Sequence, residues 1–133
     1  MRHLLLLAPF ALMACVPADP HEGISGRNAF LESCASCHGV DGTGNGAMAG
    51  GLDPRPADLT TIAARNGGTF PRDYVMSVID GYRRGSHFSP AMPEFGATDL
   101  GDTIIVENPD GTGTPVPATL LALADYLESI QAP

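Results

Sequence analysis

The sequence predicts a mainly α fold of short helices, with one small β-hairpin before the last of them. Three observations carry that expectation. Apolar residues recur at helical spacing in two stretches, Tyr74 to Tyr82 and Leu120 to Ile130. Between them, Thr-Ile-Ile-Val and Thr-Gly-Thr-Pro-Val flank an Asn-Pro-Asp-Gly turn, the pattern of a hairpin over Asp102 to Val116. The 16 Gly and 12 Pro among 133 residues keep the remaining helical patterns short. Short helices joined by so much loop hold together poorly by packing alone, which points to something other than protein at the centre.

The chain opens with Met1, Arg2 and His3, followed by an apolar run from Leu4 to Ala14 that is too short to span a bilayer and reads as an export signal. Leu12, Met13 and Ala14 ahead of Cys15 resemble the lipobox of bacterial lipoproteins, in which the cysteine becomes the first mature residue. That resemblance implies a signal peptide over 1-14, lipid on Cys15 and a periplasmic protein anchored to a membrane. Ordinary cleavage leaving a plain N-terminus is the alternative. Residues 15-24 carry two prolines and no apolar periodicity, so they read as a tether reaching roughly 30 Å at about 3.3 Å per residue. The domain proper is expected over 25-133.

Ser25 is placed to cap a first helix from Gly26 to Ser33, with Ala29 and Phe30 on its inner side. Asp58 starts a short second one that Asn66-Gly67-Gly68 stops. Pro71 suits the first turn of a third, whose stripe of Tyr74, Val75, Val78, Ile79 and Tyr82 is expected to be core. Pro117 opens the last helix in the same way, and Leu120, Leu123, Ala124, Leu127 and Ile130 form its buried face.

The chemistry is concentrated in Cys34-Ala-Ser-Cys37-His38, on or just after the first helix. Two thiols three positions apart, followed at once by an imidazole, match c-type haem attachment: each sulfur bonds one vinyl group and His38 faces the iron. A disulfide, a zinc half-site and a thioredoxin-like pair are the other uses of such cysteines. Zinc wants a second Cys/His pair that is missing, and a redox Cys-x-x-Cys wants a βαβ context that this helical pattern lacks. Export to an oxidising compartment also fits haem attachment there.

With these residues the chain resembles a class I, monohaem cytochrome c over most of 25 to 133, which implies the cytochrome c fold around one covalently bound haem c and its iron. Gly26 and Phe30 stand where the family's first helix meets its last, and Tyr126, followed by Leu127, stands at the facing aromatic position. Gly39 to Gly46 and Gly50 to Thr60 are similar to a common bacterial form of the family's first loop, with Ala47 where that form usually has Pro. The resemblance implies that a backbone carbonyl near that point accepts the proximal imidazole's second N–H. Ser89-Pro-Ala-Met92-Pro-Glu-Phe95-Gly96 resembles the family's Met-Pro loop, which makes Met92 the sixth ligand, 54 residues beyond His38. His87, Met48 and Met76 compete for that place, as does an open site. Met48 lies too near His38 to reach the opposite face easily, and Met76 falls off the expected buried stripe. His87 and His21 are expected at the surface.

A haem with both axial positions filled implies outer-sphere electron transfer. The rival readings are a haem enzyme or gas-binding protein with an open sixth site, and a fixed cytochrome subunit of a membrane oxidoreductase. One Cys-x-x-Cys-His motif argues against two-haem peroxidases. The chain has no lysine and a net charge of −8, which excludes a nucleic-acid-binding role. Loss of the signal leaves six arginines against 15 acids, or −9. Redox partner proteins with basic docking surfaces are expected. Arg83 and Arg84 follow the third helix, either as partners for haem propionates or as a solvated helix end.

Overall fold

The computed structural model describes residues 24–83, 90–108 and 110–133. The expected signal peptide, Cys15, nearly all of the tether, His21, Arg84, His87 and Ser89 lie outside the described residues.

Helix α1 spans Gly26–Ser33, as its sequence predicts, because the Ser25 hydroxyl accepts the Asn28 N–H at 3.2 Å. Its buried side chain is Phe30, which has no exposed surface and meets the Tyr126 ring at 5.2 Å between centroids, tilted by 47°. The chain breaks step at Cys34, whose N–H still bonds to Phe30 at 2.9 Å, and then makes one further turn, α2, over Ala35–His38. The Cys-x-x-Cys-His residues thus occupy a turn of their own.

The second predicted helix forms as a 3-10 turn, Leu59–Thr61, running into α3, Ile62–Arg65. Asp58 caps it, accepting the Thr60 N–H at 2.8 Å and the Thr60 hydroxyl at 2.6 Å. Helix α4 spans Arg72–Asp80 with Pro71 at its N-cap, one residue earlier than the sequence placed it. The stripe expected on α4 needs correction. Val75 and Ile79 are buried, but Tyr74 is 49% exposed and Tyr82 is 85% exposed, while Met76 packs against the core. Gly81, at φ +101°, ends the helix in the left-handed region, so Tyr82 leaves the helical phase and the buried face turns toward Met76.

Strands β1, Thr103–Glu107, and β2, Gly113–Pro117, pair antiparallel with Ile104 opposite Val116, forming the expected hairpin. Its inner face puts Val116 and Val106 on the core; its outer face is exposed. Helix α5, Ala118–Ser129, buries Leu120, Leu123, Ala124 and Leu127, with Ile130 half-buried just beyond its end.

Helices α1 and α5 cross in close contact at Gly26, where a Cβ would come within 1.9 Å of the Ala122 carbonyl oxygen. Helix α4 packs on α5 as well, and Arg72 at its start bonds to Asp125 and Glu128. The tail closes the fold: Gln131 accepts the Ala63 N–H at 2.8 Å and donates to the Leu59 and Leu127 carbonyls at 2.8 and 2.7 Å, and the Ala132 N–H donates to Thr60 at 2.7 Å. The described residues thus form a mainly helical domain with a small two-stranded sheet.

Candidate functional site

The carbonyls of α2 face the loop that follows it, and that loop satisfies them. Met48 donates to Ser36 at 2.9 Å, Gly46 to Cys37 at 3.1 Å and Gly44 to His38 at 2.7 Å. Gly46 must be glycine for this approach, since a Cβ there would come within 2.4 Å of the Ser36 oxygen and 2.6 Å of the Cys37 carbonyl. The loop is itself braced at Asp41, which accepts from the Thr43 N–H at 3.2 Å and the Thr43 hydroxyl at 2.9 Å. It joins the next segment through the Leu59 N–H, which donates to Gly42 at 2.7 Å.

This bracing brings the Ala57 carbonyl to the His38 ring, 2.9 Å from Nδ1. A carbonyl only accepts, so Nδ1 carries the proton and Nε2 keeps its lone pair. The sequence placed the orienting carbonyl near Ala47. Instead it comes from Ala57, ten residues further along the loop, where the Leu59 N–H bond to Gly42 holds the returning chain beside α2.

Cys34 and Cys37 are free thiols, both half-buried. Burial first, and the neighbouring Cys37 second, push the Cys34 thiol from 9.0 up to about 11. It is therefore neutral at physiological pH, a poor nucleophile for disulfide exchange. Among the described residues no group of three or more His, Cys, Asp or Glu side chains is placed to hold a metal ion.

Met92 is half-buried and packs against the core, as do Met76 and Phe95, whereas Met48 is 58% exposed. The loop after Met92 rests on the end of α4. A Cβ on Gly96 would lie 2.6 Å from the Asp80 carbonyl oxygen, and one on Gly81 would lie 2.9 Å from the Glu94 side chain. Arg83 is exposed, and its N–H donates to the Ser77 carbonyl at 3.0 Å. Sequence reasoning missed Ala57 and Gln131. A backbone carbonyl leaves no mark in a side-chain pattern, and a glutamine near the end of a chain is ordinary.

The donor set fits a covalently held haem: two thiols on one turn, an imidazole with Nε2 available, and a thioether against the same apolar core. No helix among the described residues is long and apolar enough to cross a membrane. The family model described as Cytochrome c matches residues 24–131. Comparison with curated proteins found no match, and comparison with solved structures found none. The chain belongs to the cytochrome c family, so it carries covalently attached haem c with its iron and works in haem-based electron transfer.

Proposed function

We propose that this chain is an exported, lipid-anchored electron carrier in which Cys34 and Cys37 hold the haem through thioethers and His38 and Met92 are its axial ligands. The observation that carries the reading is the His38 Nδ1 hydrogen bond to Ala57. It fixes the tautomer that leaves Nε2 for the iron, holds the ring against rotation and makes the imidazole more basic. When bound, the haem supplies a one-electron ferric/ferrous couple. The protein's part is to tune it. The soft thioether of Met92 favours the ferrous state and raises the potential relative to two imidazoles. With both axial positions taken by side chains, neither substrate nor oxygen has a coordination site, which favours electron transfer over catalysis.

In this reading residues 1-14 are a removable signal peptide, Cys15 is the lipidated mature N-terminus, 15-24 is a tether, and 25-133 is the haem domain. The two or three acyl chains of a lipoprotein give lasting attachment at about 0.8 kcal/mol per buried CH₂, where one chain binds marginally. A mature charge of −9 favours basic docking surfaces on redox partners.

Mass spectrometry of the matured, denatured protein tests both halves of the proposal. The expected result is one peptide bearing haem on Cys34 and Cys37, and an N-terminal peptide bearing acyl chains on Cys15. Haem removed by acid-acetone overturns the thioether assignment. An unmodified N-terminus with all holoprotein soluble overturns the anchor and leaves a soluble carrier.

A further inference from the structure

The hairpin is the element that electron transfer leaves without a role. Its hydrogen bonds fix which way each backbone group points. The Ala118 N–H donates to Asp102 and the Asn108 N–H to Thr112, both at 2.8 Å, so these pairs bracket the ribbon with bonded positions. Bonded and non-bonded pairs alternate along an antiparallel ladder. In this register Ile104 with Val116 and Val106 with Thr114 are therefore bonded pairs, whereas Thr103 with Pro117, Ile105 with Pro115 and Glu107 with Gly113 are not. The N–H and C=O groups of the second set point away from the partner strand.

On β2 that outer edge is closed, because Pro115 and Pro117 have no N–H to offer. On β1 it is open. Among the described residues no backbone group outside the ribbon bonds to Thr103, Ile105 or Glu107. Natural edge strands are commonly defended by lysine, proline or a bulge. β1 is short and carries one charge, Glu107, at its end, but it has no lysine, proline or bulge, and its register with β2 runs without interruption over five pairs. Ile105 is 69% exposed and lies diagonally over Gly113, where a Cβ would come within 2.4 Å of its Cγ2. The same end of the chain is acidic throughout: Asp99, Asp102, Glu107 and Asp110 flank or lie on the ribbon, and no Arg, Lys or His occurs from Glu94 to Pro133.

We propose that the outer edge of β1 is a docking edge, at which an extended segment of a redox partner, bearing Lys or Arg side chains among apolar ones, adds as a third strand. Backbone bonds to Thr103, Ile105 and Glu107 give the affinity, Ile105 offers an apolar contact, and the surrounding carboxylates select the charge. A second copy of the chain fits worse, because antiparallel pairing of two β1 strands would bring two sets of the same carboxylates together. The charge of the partner rests on the reading above; the open edge does not.

The probe is an acetylated, amidated Lys-Val-Lys-Val-Lys-Val peptide, titrated into the reduced holoprotein with amide hydrogen exchange as the readout. The expected result is slowed exchange at Thr103, Ile105 and Glu107, with Ile104 and Val106 unchanged. Ile105→Pro, which removes one outward N–H, and a peptide N-methylated at every residue should each weaken binding at least tenfold. Full-strength binding of the N-methylated peptide, no added protection at these amides, or equal binding of the analogue with Glu in place of every Lys would each overturn the proposal. A dimer that protects the same amides without peptide would overturn it by assigning the edge to a second copy. The haem spectrum and potential are read in parallel, so failure at β1 stays distinct from failure of the electron-carrier reading.

Discussion

His38 is tied through its own ring nitrogen to a braced loop, and Met92 sits on a segment that rests against the end of α4. If Met92 is the sixth ligand, Met92→Ala removes the only soft donor to the iron while His38 stays oriented. The expected outcome is loss of the near-infrared methionine-to-iron band, a fall in potential on the order of 0.1–0.3 V within the roughly 0.8 V that axial ligands span, and new binding of cyanide or carbon monoxide. His87→Ala should leave the spectrum unchanged. The opposite pattern would assign the sixth position to His87.

At the scale of elements, the α1–α5 crossing is set by one missing side chain. Alanine at position 26 would raise helix propensity by about 1 kcal/mol, but its Cβ would meet the Ala122 carbonyl at 1.9 Å. The clash outweighs the gain, and Gly26→Ala should cost about 2–4 kcal/mol, seen as a lower denaturant midpoint of the holoprotein. Gln131→Ala removes three hydrogen bonds between the tail, α5 and the start of α3 and should cost about 1–3 kcal/mol in the same measurement. The sequence made α1, the hairpin and the inner face of α5 legible because caps, turn residues and apolar spacing are local properties of side chains. The Cys-x-x-Cys-His motif was legible for the same reason. The buried face of α4 was harder to read, since Gly81 fits a helical pattern as well as it fits the left-handed cap that ends one. The Ala57 carbonyl was beyond reach, because only the folded loop decides which backbone oxygen arrives at the imidazole.

For the whole molecule, acidity governs the response to pH. Thr60, through its hydroxyl and then its N–H, holds the Asp58 carboxyl below its ordinary 3.8; Thr43 does the same for Asp41 and Thr112 for Asp110. These bonds favour the ionised form in the folded state, so their stabilisation is complete above about pH 4 and is lost as pH falls through the lower folded values. Urea midpoints should decline between pH 4 and pH 2, and Asp58→Asn should make that decline shallower. The tail has a consequence for how the protein is made. Gln131 and Ala132 clamp residues 59 to 63, beside the carbonyl that orients His38, yet they lie more than 90 residues beyond Cys37 in the chain. A nascent chain that has already emerged past Cys37 still lacks the clasp on its histidine loop. The full bracing of the imidazole's loop thus waits for residues made long after the histidine itself.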